Sequence, residues 1–360
     1  MANFDDMKFA VESISGGKNT VLLDDKGLPS VVVLFPKHSK KDLFGGTDAT
    51  HQGHIVNGIE KDIMYVDKFQ DIVMGGRGYS LPGRDPAVWV NFDQAVQYSR
   101  AKGKGWGLIP FALWAEIALW TRANGTMPHG NNNFGADINH PLEKGTPVSK
   151  YSATDGTYPG RTQRTATGSG PETWYHDGTG AGIADLNGNV WEWNAGLRLV
   201  DGEIQVIPYC NSMLREVSLG SASTSWKAIA SDGSLVDPGT AGTLKYNATA
   251  NELTTTVTPT DQGNWLDFSS MKLASTLSGG APEIAKELIL YPAEPGKDYG
   301  GDFHGWSTKG ERVANCGGDW GGSGYAGVFR RRLAQPAVEL ERQHRLPLRF
   351  LRTVNRPLIN

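Results

Sequence analysis

Imidazoles, carboxylates and thiols build most catalytic and metal sites, and this chain spaces them in ways that predict little such chemistry. His51 and His54 stand three residues apart and could share a metal ion, but no third ligand follows at a spacing that completes a site. Glu116 and Glu192 could pair as carboxylates. Each sits inside a strongly patterned segment, so each is expected to be a structural hydrogen-bond partner. The two cysteines, Cys210 and Cys316, are too few for a disulfide framework, and Cys316 is expected to be a buried hydrophobe. No Walker loop, Ser-His-Asp order or metalloprotease motif occurs. The expectation is no catalytic residue, no metal site and no cofactor. Trp320, Gly321, Gly322, Ser323 and Tyr325 combine small residues with aromatics, a mixture that suits a contact surface because Tyr gives contact area at low entropic cost.

These residues need a rigid base, and two segments are expected to supply it. In 182–193, Asn187-Gly188 predicts a type I′ turn, followed by Asn189 and a strand that places Trp191 and Trp193 on one face. Two indoles on one face mark a core, each burying roughly 150–250 Å². The partner segment is Cys316-Gly317-Gly318-Asp319-Trp320, whose glycines allow close backbone approach. Two helices are also predicted. Asn91 and Gln94 make a capping-box pattern ahead of an apolar stripe that ends at Gly103, and Leu113, Ile117 and Trp120 recur at helical spacing from Pro110 to Asn124-Gly125.

Together the Gly-Asn-Val-Trp-Glu-Trp string, the Gly-Gly-Asp-Trp motif and the helical segments 95–98, 105–110 and 114–120 resemble a particular fold. It is the C-type-lectin-like fold in the branch shared by formylglycine-generating enzymes and the variable proteins of diversity-generating retroelements. The resemblance covers about 50–200 and 300–330 and implies an α+β, loop-rich domain with two helices around short antiparallel sheets. The enzymes place two cysteines shortly after the Gly-Gly-x-Trp motif, whereas 321–327 contains none. Related iron-dependent sulfoxide synthases use three histidines, of which only a pair is found. In the variable proteins the residues after the motif lie on an exposed face and are rewritten by adenine-directed mutagenesis. That implies diversified positions at Gly321, Gly322 and Tyr325, interleaved with scaffold residues 326–329. The implied function is non-enzymatic recognition of a host-surface protein or glycan by a phage or prophage protein. The alternatives are a formylglycine-generating-type oxidase and an inert virion component.

The 360 residues include 46 glycines and 11 tryptophans, and 20% are charged, which predicts a loop-rich β-containing globule. No signal peptide or membrane span is read, so synthesis in the bacterial cytoplasm is expected; the resemblance implies association with a virion. The division expected is a small β element at 1–45 for attachment or oligomerisation, the main domain at 46–329 with an insertion at about 200–300, and a basic segment at 330–360. The insertion carries strand-like pieces at 204–208, 244–246 and 253–257 and a helical run at 282–290. The long loop 127–180 is expected to be functional or mobile. The basic segment carries eight arginines against two glutamates; without a recognisable motif, nucleic acid is not an expected partner. Read one nucleotide later, codons permitted for 335–348 allow an Asn/Ser-rich stretch ending Gly-Phe-Arg, the ending usual in the variable proteins. A frameshift near Phe329 is therefore expected, with the last strand missing or replaced.

Overall fold

A computed structural model describes residues 4–256 and 262–337, together with the backbone of 349–350 and 353–355. It is a mixed α/β structure with few helices and a large curled sheet. The first hairpin forms as expected, Asn19–Leu23 against Pro29–Pro36 with Val21 opposite Val31. It does not form a separate element at 1–45. Pro29–Pro36 pairs onward with Ile63–Asp67, and the five-stranded sheet continues through Thr353–Asn355 to Trp106–Leu108. The reason lies in the strand's composition: Val31, Val32, Val33 and Phe35 are all buried, so both faces need cover that a lone hairpin cannot provide. Helix Phe4–Ile14, not anticipated, buries no residue fully; Met7 and Val11 rest against Val21 and Val31.

The second sheet has Glu311–Gly317 at its centre, between Trp191–Val200 and Gly327–Gln335. Register shifts along Glu311–Gly317 add local twist, which curls the sheet. Residues 200–300 extend it at both edges. Glu203–Val206 returns antiparallel on Trp191–Val200 and carries Lys245–Asn247 and Glu252–Thr254, while Gly263–Asp267 adds beyond Phe303–Ser307.

Strand Gly327–Gln335 runs straight through the boundary expected at 329/330. Arg331 and Arg332, on opposite faces of this strand, are both buried, so the basic segment does not start as a separate tail. Arg331 donates to the Tyr246 hydroxyl at 2.7 Å and contacts His304, but no carboxylate pairs with it among the described residues. The final short strand Thr353–Asn355 is present between Ile63–Asp67 and Trp106–Leu108. The expected alternative ending falls largely on 338–348, outside the described residues.

Both anticipated helices form. Phe92–Arg100 has the reciprocal capping box, Asn91 Oδ1 accepting from Gln94 N at 2.8 Å and Gln94 Oε1 from Asn91 N at 3.0 Å. Phe111–Ala123 is buried on nearly every side, and its Trp114 indole donates to Val328 O at 2.8 Å, tying it to strand Gly327–Gln335.

Candidate functional site

The turn before Trp191 differs from the type I′ expectation. Positive φ occurs at Gly188 and Asn189, not at Asn187. A Cβ on Gly188 would lie 2.1 Å from Asn131 O, so the backbone of the long loop presses directly on this glycine. The asparagines hold the two segments together. Asn189 Nδ2 donates to Gln70 Oε1 (2.8 Å) while its Oδ1 accepts from Asn131 Nδ2 (3.0 Å) and Thr165 N (2.9 Å); Asn187 Nδ2 donates to Pro128 O (2.9 Å). Glu192 is buried and accepts from Gln70 Nε2 at 3.1 Å, a structural role. Trp193 donates to Val90 O and packs edge-on to Phe92.

Glycines at φ 88° and 91°, Gly317 and Gly318, lead into Asp319 and Trp320. Asp319 is buried, which pushes its carboxyl up against the pull of Arg330, and its Oδ1 accepts from Gly321 N at 2.8 Å. The turn that follows is clamped from both sides. Phe134 N donates to Trp320 O (2.6 Å), Ser323 N to Asn132 O (2.8 Å) and an Arg330 guanidinium nitrogen to Gly322 O (3.1 Å). The expected binding residues therefore separate. Trp320 is buried, its indole donating to the Tyr151 hydroxyl at 3.2 Å, so it supports the face and is not on it. Gly322 is buried too, and a Cβ there would meet Ala326 Cβ at 2.9 Å and Asp319 O at 3.0 Å. Gly321 has room for a side chain, with nothing nearer than 3.4 Å. Ser323 is partly exposed at φ 56°.

Tyr325 is 50% exposed, its ring 4.1 Å from that of Phe303. Phe303 and Gly305 share one strand face, and the 42%-exposed Trp265 lies over Gly305. Tyr325, Phe303 and Trp265 thus line up as an aromatic strip. Trp265 was not anticipated; its strand comes from the insertion, and only its aromatic type within a short apolar run could have pointed to it.

Two clusters of histidine and carboxylate were not legible as such. In the first, His38, His51 and His54 converge on Glu116 of the buried helix, their Nδ1 atoms 3.1, 3.3 and 2.8 Å from its oxygens. The third imidazole missing from the sequence reading is His38, brought in by the turn before Lys40–Phe44. The cluster is closed. His54 Nε2 faces Phe35 O at 3.0 Å and His51 Nε2 faces Glu287 O at 3.0 Å. Burial pushes the Glu116 carboxyl up, but hydrogen bonds from the three histidines outweigh it and hold the group well below the usual carboxylate range. Burial pulls His51 down, yet Glu116 and Glu287 raise it overall.

The second cluster lies in the long loop. His129 and His140 stack with centroids 3.8 Å apart and planes 9° apart, and His129 Nδ1 lies 2.9 Å from Glu143 Oε2. His129 and His140 line a cleft of about 190 Å³ whose other wall includes Asp302, Gly324 and Val328. Asp302 is pushed up to about 7 by burial, against hydrogen bonding from Phe329 N and the charge of Arg330. The cleft thus adjoins the turn at 323–325.

Cys210 and Cys316 are free and buried, and burial pushes both thiols up. No described helix is long and apolar enough to cross a membrane.

These elements define a loop-rich mixed α/β protein whose curled sheet carries a clamped turn and an aromatic strip. No protein-family profile matches the chain, and no curated protein matches it. Among solved structures it is similar to PvdO from Pseudomonas aeruginosa, with 13% identity over 93% of this chain and 97% of that one and a TM-score of 0.33.

Proposed function

We propose that the chain is a non-enzymatic ligand-binding protein that presents a diversified surface after its Gly-Gly-Asp-Trp motif. The scaffold is the C-type-lectin-like fold of the formylglycine-generating branch, and the ligand is a host-surface protein or glycan recognised by a phage or prophage product. The observation that carries the reading is the exposure of Tyr325 on a turn whose backbone is fixed by Phe134, Asn132 and Arg330. An aromatic ring on an immobile base loses little entropy on binding, and Tyr is enriched among residues that dominate interface energetics. Phe303 and Trp265 extend the same apolar strip. The buried, protonated thiols of Cys210 and Cys316 favour binding over thiol-based oxidation, because the thiolate is the reactive form.

The test is display of the wild-type chain and Tyr325→Ala against host cells and arrays of glycans and proteins. Truncating a hot-spot aromatic removes at least about 2 kcal/mol, roughly a thirtyfold loss of affinity, with Tm nearly unchanged because the ring is half exposed. Equal binding by the two proteins would place the recognition surface elsewhere.

A further inference from the structure

We propose that His129, His140 and Glu143 bind one divalent transition-metal ion of the zinc class. The inference does not depend on the ligand-binding reading. One ligand atom from each residue lies within 4.8 Å of the other two. A tetrahedral site with metal–ligand distances of about 2.0–2.2 Å sets its ligands roughly 3.3–3.5 Å apart, so side-chain rotations of the order of an ångström close the set.

The surroundings are those of a supported metal site. Asp137, itself buried, places Oδ1 3.2 Å from His140 Nδ1 while accepting from the backbone N–H of Asn139 (2.8 Å) and His140 (3.0 Å). A carboxylate on Nδ1 fixes the imidazole tautomer that leaves Nε2 as a lone pair, the arrangement found behind metal-bound histidines. Glu143 is oriented the same way, its Oε2 accepting from Thr173 Oγ1 (2.7 Å) and Trp174 Nε1 (3.2 Å). Neither ring spends Nε2 on a protein partner among the described residues.

Two imidazoles and one carboxylate select for zinc, nickel, copper or ferrous iron; the set has too few oxygens for magnesium or calcium. Three protein ligands also leave a position for water, and the histidines line the cleft bounded by Gly324. A bound ion would therefore brace the loop wall directly beside the turn at 323–325.

The experiment is calorimetric titration of the metal-stripped full chain with Zn²⁺ and, separately, Mg²⁺, with Co²⁺ absorption reporting the coordination shell. One equivalent of Zn²⁺ and no Mg²⁺ is expected to bind. His140→Ala should weaken zinc by more than about a hundredfold and abolish the cobalt bands, and Asp137→Asn should weaken it roughly ten- to a hundredfold. The His140 side chain is 47% exposed, so its variant should keep the wild-type Tm without metal, and the loss can be read as loss of ligation. Absence of stoichiometric zinc binding, or binding that survives His129→Ala and His140→Ala together, would overturn the proposal.

Discussion

The two histidine and carboxylate clusters use nearly the same side chains for opposite ends. Around Glu116 two fully buried imidazoles, His51 and His54, and the partly exposed His38 meet between a buried helix and the first sheet, with backbone carbonyls taking the outer nitrogens of His51 and His54. Around Glu143 two imidazoles face a cleft, and neither Nε2 has a protein partner among the described residues. Residue type alone does not separate a structural knot from a site; the partners of the second nitrogen do.

The largest effect expected from breaking this contrast is at the closed cluster. Glu116→Gln leaves the buried His51, which Glu116 and Glu287 raise, without its nearest carboxylate, and removing one partner of a buried ion pair typically destabilises by about 3–5 kcal/mol. Urea unfolding of the variant measures it; a loss below about 1 kcal/mol would mean that the cluster carries no charge.

Acidity sharpens the contrast further. The depressed Glu116 carboxyl contributes stability that is fully present above its unfolded value of about 4.5 and is lost as pH falls through the folded value. The raised His51 contributes stability that is fully present below about 6.5 and is lost as pH rises through its folded value. The difference in urea midpoint between wild type and Glu116→Gln should thus peak between about pH 4.5 and 6.5 and narrow on either side. A difference that keeps growing above pH 8 would contradict the charge assignment.

The smallest effect belongs to the open cluster. His140→Ala in metal-free protein should change stability by no more than about 0.5 kcal/mol, because the ring is half exposed and makes one side-chain hydrogen bond. A larger loss would make this cluster a structural knot like the first.

Much of the framework could be read from the sequence because its signals are local. The Asn91 capping box, the helix at Phe111–Ala123 and the hairpin at Asn19–Pro36 each follow from residues within one element. The sequence places Glu116 inside a patterned segment and so as a structural hydrogen-bond partner, but it does not show the three partners, which come from loops and turns with no periodicity. The same holds for His129, His140 and Glu143, which approach one another through the hydrogen-bonded loop 130–137. The helix Phe4–Ile14 lies outside the expected elements although Phe4, Met7, Val11 and Ile14 recur at helical spacing; its apolar side is only partly covered, by contact of Met7 and Val11 with the first hairpin. Trp320 and Gly322 were placed on the exposed face because sequence order does not reveal that Phe134 and Arg330 close over the turn.

The left-handed backbone at Ser323 carries a consequence for how such a surface could change over time. At φ 56° glycine, asparagine, aspartate and serine are tolerated, whereas β-branched and bulky residues are strained by roughly 1–2 kcal/mol, and Gly322 admits no side chain without moving Ala326. Gly321 and Gly324 have space, and Tyr325 already stands half in solvent. The repertoire open to this loop is therefore narrower than its length suggests: under the proposed function, a change of specificity acts through 321, 324 and 325, with 323 confined to a small polar alphabet.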